Sequence, residues 1–103
     1  MNRIDRIKSM EECLDASKEA MEALAAALDK YEAVQPKRKK LSDYYGSVQW
    51  MRDYEADEAG KLPKDLKRGV LSEDAAYDII CDNRELVSRM AKLVANAIED
   101  NTL

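Results

Sequence analysis

Three carboxylates in one short stretch, Asp53, Asp57 and Glu58, are the side chains best spaced to hold a hard cation. Asp53 and Asp57 are four residues apart, an interval that puts both on one side of a helix. Paired carboxylates so placed can ligate a divalent metal through oxygen. With the nearby tyrosines they would make a small-ligand or metal-binding regulatory site. The pattern is wrong for a calcium loop, however: Gly60 is misplaced, and Lys64 stands where the closing Glu belongs. A solvated face whose acids pair with Arg52, Lys61 or Lys64 accounts for the same residues. That is the default reading, and no metal or other cofactor is expected.

Two basic segments invite similar scrutiny. Lys37-Arg38-Lys39-Lys40 follows Pro36 and could contact phosphate or an acidic partner. No aromatic residue interleaves with it to stack on bases, and the formal net charge is -4, so nucleic acid is not expected as a partner. If Pro36 opens a new helix, these cations also face the positive end of its dipole, a small local cost. Lys67-Arg68-Gly69 ahead of Ser72 resembles an anion cradle, but helix capping explains it without a ligand, and the glycine spacing of a phosphate loop is absent. The chain contains no histidine, which excludes Ser-His-Asp and Cys-His catalysis within one chain and the His-containing zinc signatures. An enzyme would have to rely on carboxylate, Lys, Tyr or metal chemistry, and no pairing marks one. The reading is therefore weighted away from catalysis.

The elements that must position these residues are helical. The 103 residues suit one domain, and they include only 3 Gly and 2 Pro, too few turn residues for an all-β fold. Charged residues make up 37% and apolar ones 46%, a balance unlike that of disordered or membrane-spanning chains. Cys13 and Cys81 lie on different helices, outside any Cys-x-x-Cys pair, and read as reduced thiols. With no apolar segment after Met1-Asn2-Arg3-Ile4-Asp5-Arg6, a secretory signal is not expected, and the predicted location is the cytoplasm.

Ile7, Leu14, Met21 and Leu28 recur every seven residues, and Met10, Ser17, Leu24 and Tyr31 form a second row three residues on. This is an a/d heptad pattern, widened on one flank by Cys13, Ala20, Ala27 and Val34. It predicts a long amphipathic helix over residues 2–34, stopped at Gln35-Pro36 because proline disfavours the helical conformation before it. Short helices follow over 36–45, ending at Gly46, and over 47–59, capped by Ser47 and stopped by Gly60. Residues 60–72 form a connector with one helical turn. Ser72 then caps a second long helix over 73–98, with its own heptad rows Ile79, Leu86, Leu93 and Ala76, Asn83, Met90, Ala97. The tail from Glu99 to Leu103 is expected to fray. Asn83 and Ser17 occupy core heptad positions, where a polar side chain costs stability but fixes register. Trp50 and the tyrosines are expected to close the core where the short helices meet the long pair.

The expected architecture is all-α: two long helices, antiparallel, bridged by two short ones. A helix of ~33 residues is ~50 Å long, whereas a globule of this size is only ~33 Å across. A wide apolar stripe argues against leaving the excess bare. The stripe Ile7, Met10, Leu14, Met21, Leu24, Leu28 and Tyr31 is therefore the expected self-association face, with a dimer as the simplest assembly and room for another protein partner.

One stretch is more distinctive than periodicity. Tyr44-Tyr45-Gly46-Ser47, Trp50 and Asp53 are followed by Glu55-Ala56-Asp57-Glu58-Ala59-Gly60, Leu62-Pro63 and Asp65-Leu66-Lys67-Arg68-Gly69-Val70-Leu71-Ser72-Glu73-Asp74, then Tyr77-Asp78 and Asn83-Arg84-Glu85-Leu86. This resembles a small bacterial family known as domain of unknown function 4298, over nearly the whole chain. The resemblance implies a bacterial, intracellular, single-domain protein. It brings no activity and no site residues.

Overall fold

Helix α1 spans Arg3–Tyr44, α2 spans Val48–Glu58 and α3 spans Glu73–Glu99, with a 3-10 turn at Gly69–Leu71 ahead of α3. These elements come from a computed structural model that describes residues 2–103, and no strand occurs among them. The chain divides into two units, one reaching to Arg38 and the other running from Lys39 to Leu103.

The first unit is a single helical segment. Asn2 caps it, its side-chain oxygen accepting from the Asp5 N–H at 2.8 Å. Within this unit no described residue is fully buried, and only Ser9, Tyr31, Gln35 and Arg38 are even half-buried. The expected break at Gln35-Pro36 does not occur: α1 carries Pro36 inside it and absorbs both the 2–34 and the 36–45 helices. A proline in a helix interior removes one N–H and crowds the preceding turn. The carbonyl left without its helical donor is that of Glu32, and the Gln35 side chain bonds beside it. Its Nε2 donates to the Tyr31 carbonyl at 2.9 Å, and its Oε1 accepts from Arg38 Nε at 2.8 Å, tying together the turns on either side of Pro36. Continuity also moves the basic run. Lys37 to Lys40 lie inside α1, ahead of its last turn, rather than at a helix start, so the expected dipole cost does not arise.

In the second unit the punctuation follows the sequence closely. Gly46 sits at φ +83°, the left-handed conformation that lets the chain leave α1, and the Ser47 hydroxyl accepts from the Trp50 N–H at 3.1 Å to open α2. Gly60, at φ +69°, closes α2 with paired bonds from Gly60 N–H to the Asp57 carbonyl and from Lys61 N–H to the Ala56 carbonyl, a Schellman turn. Ser72 caps α3 through Ala75 N–H at 3.4 Å, and Glu73 and Asp74 complement the helix dipole. The expected frayed tail is instead closed: Asn101 adopts φ 54°, and Thr102 N–H reaches the Ala97 carbonyl in a second Schellman turn. The one helical turn of the connector lies at Gly69–Leu71, directly ahead of α3.

The core of this unit is small: Trp50, Leu71 and Ala76 are its buried apolar residues. Trp50 centres it, 3% exposed, with Tyr45 edge-on at 5.4 Å and Tyr54 stacked at 5.2 Å. Its indole Nε1 donates to the Val70 carbonyl at 3.0 Å, so the buried N–H is satisfied and the 3-10 turn is pinned to α2. Trp50→Phe keeps an aromatic ring but removes the N–H and part of the indole's volume from the core, and should cost at least about 1–3 kcal/mol in urea unfolding followed by circular dichroism. A variant as stable as the parent would show that the Val70 bond carries no weight.

Candidate functional site

α2 presents its acidic face to two different neighbours. The Gly46 turn folds the end of α1 back, so that the Tyr44 hydroxyl donates to Asp53 Oδ2 at 2.5 Å. One turn further along α2, Asp57 Oδ1 accepts from the Arg68 guanidinium at 2.6 Å. Both members of that ion pair are partly shielded, and Arg68 also donates to the Lys64 carbonyl at 3.3 Å, which fixes the connector beneath it. The two carboxylates expected to act together are thus each committed elsewhere. Glu58 faces a shallow polar groove of about 370 Å³ with Tyr54, Arg68, Glu73 and Asp74. Among the described residues no group of three or more His, Cys, Asp or Glu side chains is arranged to hold a metal ion.

The charge partner of the acidic segment differs from the expectation. Arg52, Lys61 and Lys64 are its near neighbours in sequence, but Arg68, eleven residues from Asp57, makes the ion pair. The same contact draws Arg68 away from the anion cradle imagined at Lys67-Arg68-Gly69. Tyr44, expected only to pack, is the second residue the sequence did not single out as a partner. Its place nine residues before Asp53, across a Gly-Ser turn, was the available signal.

Electrostatics follow from these contacts. The Tyr44 phenol is pushed up from 10.0 to about 12, first by its hydrogen bond to Asp53, then by burial and by the Asp53 charge. Tyr54 is raised as well, chiefly by the Glu58 charge, with burial, Glu73 and Asp57 adding to it. Both favour the protonated phenol, so neither tyrosine is set up as a base.

A second, apolar groove of about 400 Å³ lies in this unit between Leu41, Val70, Ala76 and Ile79. Along α3, Ile79, Leu86, Val87, Leu93 and Val94 are exposed, while Asn83 is half-buried. In α1 the stripe Ile7, Met10, Leu14, Met21, Leu24 and Leu28 is exposed throughout, and Tyr31 is half-buried. Large apolar side chains thus stand exposed along both α1 and α3.

The Tyr44–Asp53 contact gives a pH test with a defined sign. The fold favours the protonated phenol, so the contact contributes fully below the free value of 10.0 and is lost as pH rises through about 12. Tyr44 is half-buried, and solvent screening tempers the effect on stability. In a tyrosine-resolved NMR titration Tyr44 should ionise near 12, and Asp53→Asn should return it toward 10.0. A Tyr44 midpoint unchanged by that substitution would contradict the contact.

No curated protein and no solved structure gives a significant match. No helix among the described residues is long and apolar enough to cross a membrane. The family model described as Domain of unknown function (DUF4298) matches residues 7–93, and the chain belongs to that family.

Proposed function

We propose that this protein is a self-associating helical interaction module of the bacterial cytoplasm, in which the α1 stripe pairs with a second copy of the chain. One observation carries the reading. Six large apolar side chains at heptad spacing, Ile7, Met10, Leu14, Met21, Leu24 and Leu28, are between 37% and 70% exposed. Scattered apolar residues on a surface are ordinary, but a continuous seam at this period is the geometry by which one helix receives another. Covering each such side chain fully is worth ~1.5–3 kcal/mol relative to leaving it exposed.

The antiparallel arrangement of the long helices suggested by the sequence belongs to the same proposal. The exposed row on α3, Ile79, Leu86 and Leu93, offers the assembly a second seam. Asn83, half-buried in that helix, suits a role in holding register. The unpaired thiols Cys13 and Cys81 support a reducing compartment. The competing reading, a regulatory site for a metal or small ligand on Asp53, Asp57 and Glu58, draws less support, because Tyr44 and Arg68 already occupy two of the three acids.

Sedimentation equilibrium at micromolar concentration should give a mass of two chains or more. Leu14→Lys combined with Leu24→Lys should reduce it to that of one chain, while leaving the fluorescence of Trp50, which lies in the other unit, unchanged. A parent protein that is already monomeric would end this reading.

A further inference from the structure

We propose that two copies of α1 pair antiparallel, about a twofold axis beside Ala25; this deepens, and rests on, the self-association reading above. The argument comes from the flanks of the seam. Because α1 runs unbroken through Pro36, its heptad register extends from Arg3 to Tyr44. On one flank the residues are Glu11, Lys18, Ala25, Glu32 and Lys39, all exposed. Read in order their charges are negative, positive, neutral, negative, positive. Reversed about Ala25, each charge meets its opposite: Glu11 faces the partner's Lys39, Lys18 faces the partner's Glu32, and Ala25 faces its own copy. On the other flank are Cys13, Ala20, Ala27 and Val34, also exposed. In the same register Ala27 comes beside its own copy and Ala20 beside the partner's Val34, so small apolar residues cover one another.

Flanking charges set the orientation of paired helices, and the alternatives are worse. A parallel, in-register pair would set one flank against the other. Only Glu11 would then find a cation, Arg6 of the partner subunit, while Lys18, Glu32 and Lys39 would lie against Cys13, Ala27 and Val34. It would also stack Arg38 on its own copy within the seam. An antiparallel pair displaced by one heptad brings Glu11 onto the partner's Glu32, or Lys18 onto the partner's Lys39. The register centred on Ala25 avoids every like-charge contact on this flank and overlaps nearly all of α1. It also sets Ser17, the polar member of the seam, level with the partner's Gln35. The Gln35 amide carries a second N–H and a second lone pair beyond those used on Tyr31 and Arg38. Lys39 already pairs with Asp43 at 2.8 Å on the open surface, and the partner's Glu11 would join that pair.

The test is pulsed electron spin resonance on the full chain, spin-labelled at a single site in a Cys13→Ala, Cys81→Ser background. Glu12→Cys and Ala26→Cys both lie on the outer face of α1. At 1.5 Å per residue, the antiparallel register separates the two copies of position 12 by ~40 Å along the axis and brings the two copies of position 26 level. Two distinct distances, the first about twice the second, are expected. Equal distances at the two positions would overturn the antiparallel pairing while leaving self-association intact. No dipolar signal at either position would remove both. Charge reversal gives an independent check: Lys18→Glu should weaken association roughly tenfold, and adding Glu32→Lys should restore it. Failure of the second substitution to rescue the first would count against this register.

Discussion

An α-helix that buries none of its side chains has little to hold it together. Backbone hydrogen bonds in water are worth little net, and helix formation in isolation is marginal even for favourable sequences. The segment of α1 in the first unit is in this position, with its whole apolar stripe open. Its residues are good helix formers and Asn2 caps it, but such local terms contribute only tenths of a kcal/mol to about 1 kcal/mol each. In the proposed assembly, covering the apolar seam supplies the rest. This constraint links the fold to the proposed function: association would complete the helix as well as join two chains.

The second unit solves a different problem with few means. It has no phenylalanine, and its buried core is Trp50, Leu71 and Ala76. One indole therefore does most of the joining: it stacks on Tyr54, meets Tyr45 in a T-shaped contact, and its N–H holds the 3-10 turn. Polar contacts extend the small core outward. Tyr44 ties the end of α1 to α2 through Asp53, and Arg68 ties the connector to α2 through Asp57. The acidic segment that resembles a ligand site is better understood as the anchoring face of α2. Its charge is used to hold neighbouring segments, which is why its two best-spaced carboxylates point to different partners.

Much of this was legible in the sequence, and the part that was not has two causes. Heptad periodicity located the long helices, and Gly46, Ser47, Gly60 and Ser72 marked helix ends, because each acts through its own backbone or that of residues within one turn. Pro36 was misread because a local rule met a local exception: the Gln35 side chain bonds both to the preceding turn and to Arg38, and composition alone does not reveal such a bridge. Arg68 was missed as the partner of Asp57 because the path of the connector, not proximity in sequence, decides which cation arrives. Tyr44 was assigned to packing for a similar reason, since only the turn at Gly46 brings its hydroxyl to Asp53. For Arg68 and Tyr44, spacing predicted what each residue does within its own segment and failed where a turn brought two segments together.

Amide hydrogen exchange across residues 7–34, measured over a range of protein concentrations, tests the dependence of α1 on association most directly. If covering the seam holds the helix, protection in this segment should rise with concentration, while the amides around Trp50 stay constant. Protection of residues 7–34 that is already full at nanomolar concentration would contradict the account, as would fast exchange at every concentration.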